Sequence, residues 1–187
     1  MQKSILKLLP SALIFSPAVG LLINILIELS GIKATANYNA LYERMIDKPL
    51  YMLILLYCIV TPAVEELMFR GLIYRLLRKK LAFPPAVIIS AALFGLYHGN
   101  IIQFIYAFVM GIFFAVLCEL SGSLIIPVLA HAANNVLAVI TSFGLFNIII
   151  SDKKALVLFI MLLTALLLYW LYLLSNYFRK SGKEDNG

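Results

Sequence analysis

Thr61-Pro-Ala-Val-Glu-Glu-Leu-Met-Phe-Arg70 places two carboxylates and a guanidinium inside a run otherwise apolar enough to cross a membrane. A charged side chain at the centre of a bilayer costs roughly 2.5–3.5 kcal/mol even on lenient insertion scales, so such residues pair, line a cavity or do chemistry. In a helix, Glu66 and Arg70 lie four apart on one face and can neutralise each other. Glu65 points about 100° away and has to find its partner on another span. Pro62 either kinks a continuous helix or opens a new half-helix capped by Thr61, which would set both carboxylates near the positive end of a helix dipole. The plainest alternative is a structural Glu66–Arg70 pair with Glu65 as a solvated bystander.

Working outward, the 187 residues are 63% hydrophobic and 13% charged, with a mean hydropathy of +1.00. An ordinary soluble domain carries about a quarter charged residues, which excludes that class. The apolar runs are continuous and do not alternate, so the chain reads as helical and not as a barrel. The expected fold is an all-α, polytopic membrane helical bundle of about six transmembrane helices, with residues 1–187 as a single integral membrane domain. The net charge of +6 forms no basic face, so nucleic acid is not an expected partner. Cys58 and Cys118 each lie within an apolar run without metal-ligand spacing and read as small buried apolar residues.

The first span follows Lys3 and Lys7, continues to about Leu29 through Pro10 and Pro17, and outruns the 7–15 residues or so of a signal-peptide core. Residues 30–49 hold Lys33, Glu43, Arg44, Asp47 and Lys48, a polar loop with room for a short surface helix. The second span, from Leu50 through the decapeptide to Leu77, is about 42 Å of helix against a hydrocarbon core of roughly 30 Å. Its last turns, with Arg75, Arg78, Lys79 and Lys80, should project into water. Phe83 to His98, Ile101 to Leu120, Leu124 to Phe143 and Ala155 to Phe178 follow, separated by Gly99-Asn100, a Ser-Gly-Ser turn and Ser151-Asp-Lys-Lys154. Termini in the cytoplasm put Lys3, Lys7, Arg75, Arg78, Lys79, Lys80, Arg179, Lys180 and Lys183 inside, and leave Lys33, Arg44, Lys48, Lys153 and Lys154 outside. The positive-inside rule selects that orientation for a multi-pass protein of the cell membrane.

Glu65 and His98 are equidistant in sequence from the hairpin midpoint between Leu81 and Ala82, so they belong at one depth. Glu65 lies roughly 15 Å below the charged rim, and His131 comes out roughly 12 Å from the same side. Asn135 follows His131 by four and shares its face, and Phe94, four before His98, is placed to wedge that ring. Gly95 and Gly99 form a small-xxx-small pair suited to close helix packing. Glu119, at a span end, reads as facing headgroups, and the Arg75–Lys80 cluster as a topology signal. A lone membrane histidine or asparagine is commonly interhelical glue, but Glu65, His98 and His131 arriving together from three helices are poorly explained that way.

These residues resemble the CPBP or Abi intramembrane endopeptidases, which include the type II CAAX prenyl proteases and proteins linked to bacteriocin processing and immunity. Three motifs carry the resemblance in order: Glu65-Glu66-x-x-x-Arg70 followed by Gly71, Phe94-x-x-x-His98, and His131-x-x-x-Asn135 preceded by Gly122-Ser-Leu. They cover about residues 61 to 138. The resemblance implies a protease that cuts a peptide bond near or in the bilayer, its substrate a peptide or membrane protein. Glu65 and His98 would activate a water, Glu65 as general base. His131 and Asn135 would stabilise the oxyanion, and Glu66 and Arg70 would hold the second helix in place. Metalloprotease-like chemistry is the competing expectation, with Glu65, His98 and His131 as three Zn2+ ligands around an open position, although no H-E-x-x-H is present. Larger members have further spans, which leaves substrate choice open between CAAX proteins, leader peptides and bacteriocins. Outside catalysis, the same cavity fits a non-catalytic peptide-binding or immunity protein. An ion-coupled carrier would need a repeated or discontinuous architecture, which the sequence lacks.

Overall fold

The computed structural model describes residues 2–30, 48–142 and 151–184. These contain six helical runs and no strand, the helical membrane bundle expected from the apolar runs. They are α1 (Gln2–Leu29), α2 (Leu50–Arg78), α3 (Phe83–Tyr97), α4 (Ile101–Ser121), α5 (Ile125–Ile140) and α6 (Lys153–Glu184). The polar loop, apart from Ser30, Lys48 and Pro49, and the expected end of the fifth span at Phe143 lie outside the described residues. In α2, α4 and Lys153–Tyr172 of α6, length and composition suffice to cross a membrane. The apolar helices Phe83–Tyr97 and Ile125–Ile140 are shorter; α3, with 15 residues, is about 22 Å long.

Each boundary has a local cause. Pro84 and Pro85 open α3, where the first N–H groups have no intrahelical partner. Asn100 caps α4: its Oδ1 accepts from the Gln103 N–H at 2.8 Å, and its Nδ2 donates to Gln103 Oε1 at 2.6 Å, which holds the capping side chain in place. Gly122 ends α4 in the left-handed region at φ +62°, its N–H returned to the Cys118 carbonyl.

Of the two expectations for Pro62, the new half-helix capped by Thr61 does not form. Thr61 is helical (φ −58°, ψ −52°) and does not cap, and α2 runs through the proline. The helix widens instead, with π-helical turns at Ile54–Val60 and Leu67–Tyr74 on either side of the α-helical Thr61–Glu66. Such turns recur at functional sites.

Helix α4 is the central pillar. Over half of its most apolar window, 56%, is buried, against 11% for α6, so α6 presents most of its surface outward. Phe15 and Val19 of α1 meet Met110, Phe113, Phe114 and Leu117 of α4, and Ile126 and Ala130 of α5 close the cluster. Helix α3 packs closest along α4, and Gly111 makes this possible: a Cβ there would stand 3.0 Å from the Ala91 Cα. The small-xxx-small pair divides. Gly95 lies against Phe104, whereas Gly99 has open space and φ +75°, so it serves the turn and not the packing.

Candidate functional site

Helix α2 carries a stripe of polar residues four apart: Glu66, Arg70, Tyr74 and Arg78. Glu66 and Arg70 are wholly buried and paired, with Arg70 Nη1 donating to Glu66 Oε1 at 2.9 Å. The other end of the guanidinium, Nη2, donates to the Gly111 carbonyl at 2.9 Å. Two aromatic rings lie against the cation, its central carbon 4.5 Å from the Phe94 centroid and 5.4 Å from that of Phe114. A desolvated guanidinium gains most from such contacts. Farther along, Tyr74 Oη donates to Glu119 Oε2 at 2.8 Å, and Arg78 Nη2 donates to Glu119 Oε1 at 2.7 Å. Glu119 is therefore half-buried and tied to α2, and Arg78 joins two helices. Arg70 to Gly111 and Tyr74 to Glu119 also fix α2 and α4 as parallel, as alternate spans must be.

Glu66 does more than hold its own helix. Its Oε1 lies 2.9 Å from His131 Nδ1. An ionised carboxylate only accepts, so Nδ1 carries the proton and Nε2 is turned the other way, to 3.8 Å from Glu65 Oε2. Glu65 thus finds its partner on another span, as its position on the helix requires. His98 is oriented by the same logic: its Nδ1 is 2.8 Å from the Phe94 carbonyl, which can only accept, leaving Nε2 as the free nitrogen. Phe94 stands between the two imidazoles, its ring edge-on to His98 at 4.9 Å and to His131 at 5.9 Å. His98 lies within electrostatic reach of Glu65. Helices α3 and α5 thus bring His98 and His131 to one aromatic wedge, and α2 brings Glu65 to His131.

Asn135 also turns toward α2, with Nδ2 donating to the Tyr57 carbonyl at 2.8 Å. The Thr61 N–H bonds the Leu56 carbonyl, five residues back. In that register the Tyr57 carbonyl awaits the N–H of residue 62, and Pro62 has none. Asn135 supplies the missing donor, and its amide keeps a second N–H. Sequence reasoning passed over Asn134, whose Nδ2 donates to Tyr106 Oη at 2.6 Å. It lies against α1 at Gly20, where an added Cβ would overlap its amide. The adjacent Asn134-Asn135 pair was the available signal, since three and four residues from His131 both fall near its face.

Among the described residues no group of three or more His, Cys, Asp or Glu side chains is placed to hold a metal ion.

A buried carboxylate opposite an oriented imidazole, inside a polytopic helical bundle, defines a membrane protein with a polar intramembrane site. Comparison with known proteins refines that class. Residues 47–137 match the family model described as type II CAAX prenyl endopeptidase Rce1-like, 91 of the 187 residues, and that segment holds all three motifs. The resemblance read from the motifs is thereby borne out. The chain is 31% identical over 108 residues to a Bacillus subtilis protein named "Putative membrane peptidase YdiL", a match covering 58% of this chain and 43% of that relative. The chain thus spans less than half the length of the relative it matches. No solved structure matches it.

Proposed function

We propose that the protein is an intramembrane endopeptidase. The observation that carries the reading is the pairing of Glu65 with His131 Nε2 at 3.8 Å, while Glu66 holds the opposite ring nitrogen at 2.9 Å. In the proposed reaction Glu65 takes a proton from a water that His98 orients through its free Nε2, and the water oxygen attacks the peptide carbonyl. His131 and Asn135 donate to the oxyanion that forms. With Nδ1–H held by Glu66, His131 must carry both ring protons at that step. The charges then balance: with Glu65 neutral after taking the water proton, the Glu66 carboxylate and the oxyanion stand against Arg70 and the imidazolium. Asn135 donates its second N–H while the first stays on Tyr57. Collapse of the tetrahedral intermediate returns the proton from Glu65 to the leaving amine.

The substrate class is a membrane-associated peptide or protein reaching the site from the bilayer, and the termini are assigned to the cytoplasm on the positive-inside count. The test is cleavage of a peptide library by the full chain in liposomes. Glu65→Gln, His98→Ala and His131→Ala should each lower turnover by roughly 10²–10⁴ while the proteins purify in normal yield. Unimpaired cleavage by all three ends the proposal. Inert variants that still confer bacteriocin immunity in cells would favour the binding protein instead. Turnover that disappears with a chelator and returns with stoichiometric zinc would replace the Glu65 mechanism with a metal-dependent one.

A further inference from the structure

A cavity of about 490 Å³ opens at the other end of the α2–α4 seam, lined by Tyr74, Arg75, Arg78, Lys79, Glu119 and Gly122 among others. Three cations and one carboxylate meet there. Glu119 is engaged by Arg78 and Tyr74, so the anion already in the cavity is committed. The side chains of Arg75 and Lys79 are exposed and make no hydrogen bond or ion pair among the described residues. They stand four apart on the last turns of α2, where like charges repel unless an anion lies between them. Arg78, held by its bonds to Glu119 and to the Leu81 carbonyl at 3.0 Å, lines the cavity beside that gap.

We propose that this cavity binds the phosphate headgroup of an anionic membrane phospholipid. A lipid is favoured over a free anion by what adjoins the cations. Leu72 and Leu76 are exposed on α2, 56% and 51%, and offer acyl chains a path along the helix directly below Arg75 and Lys79. Basic recesses between membrane helices at the cytoplasmic rim are suited to such headgroups. Because Arg70 and Tyr74 belong to the same stripe of α2, a bound lipid would brace the helix that carries Glu65, whatever the chemistry there.

The test is native mass spectrometry of the full chain in detergent, titrated with phosphatidylglycerol. R75Q/K79Q should weaken binding roughly thirtyfold, about fivefold for each cation removed at a membrane surface, and should fold normally because neither side chain holds the structure. R75K/K79R should bind as the wild type does, as should K153Q/K154Q, which removes charge from the start of α6. Phosphatidylcholine should bind more weakly, and inorganic phosphate should not displace the lipid. Wild-type binding by R75Q/K79Q would overturn the proposal, as would an equal loss in K153Q/K154Q, which would indicate charge alone. Displacement by inorganic phosphate at the lipid's own concentration would overturn the lipid in favour of a free anion.

Discussion

Two arginines on one stripe of α2, two turns apart, each pair with a glutamate and bond α4: Arg70 with Glu66 of its own helix and the Gly111 carbonyl, Arg78 with Glu119 of α4. The deep one, Glu66–Arg70, is wholly buried; the outer one, Arg78–Glu119, is about a third exposed on each side. The same chemistry therefore does different work. At the rim, water screens the charges, and such pairs are worth about 0–1 kcal/mol. At depth the pair cannot be judged by its own attraction, since desolvating both ions consumes most of it. Glu66 Oε2 and Arg70 Nε remain without a protein partner. The deep pair is better understood as a fixture: Arg70 spans from Glu66 to the Gly111 carbonyl against two aromatic rings, and the carboxylate it holds sets the orientation of His131. Depth turns a fastening into an orienting device.

The sharpest way to break this contrast is Arg70→Ala. It should leave the buried Glu66 carboxylate with His131 as its one side-chain partner and cost about 3–5 kcal/mol, read as lost yield and a lowered thermal midpoint in detergent. Arg70→Lys should rescue little, because an ammonium is a point donor and cannot reach Glu66 and Gly111 as the planar guanidinium does. Near-wild-type stability in Arg70→Ala would mean that the deep pair is as dispensable as the rim one.

A middle-sized effect is expected from Asn135, and it separates two roles for one side chain. Asn135→Ala should leave the Tyr57 carbonyl without a donor and cost about 1–3 kcal/mol. In a Pro62→Ala background the N–H at residue 62 is restored, and the stability cost should shrink. If cleavage by Asn135→Ala recovers along with stability in the double variant, Asn135 is only the cap of Tyr57. Persistent loss of turnover in a stable double variant assigns its second N–H to the reaction.

These contacts mark where the sequence stops being readable. Six helices followed from the length and continuity of the apolar runs, and Glu66–Arg70 from a spacing of four, because both are properties of a single chain segment. Glu65 and His98 come within electrostatic reach of each other across a short hairpin, again a local property of the chain. His131 binding Glu66 with one nitrogen and facing Glu65 with the other depends on how α5 is rotated against α2, which no periodicity records. The Tyr57–Asn135 bond needs the five-residue register of a π turn, legible only after Pro62 is seen to leave the helix unbroken. The rim seam was legible in principle: residues 66, 70, 74 and 78 form an unbroken four-residue stripe, but Arg78 read on its own looked like topology and Glu119 like a headgroup contact.

The smallest effect should come from the rim. Glu119→Gln removes the charge that Arg78 meets and keeps an oxygen for Tyr74, so it should destabilise by less than about 1 kcal/mol. Salt then tests whether exposure is the reason. Between about 0.01 M and 1 M ionic strength the screening length falls from about 30 Å to 3 Å, and the gap between wild type and Glu119→Gln should close over that range. The deficit of Arg70→Ala should not, because its charges lie where ions do not reach. Parallel salt responses for the two variants would mean that both pairs sit in the same dielectric, and depth would no longer explain why only the inner one orients a histidine.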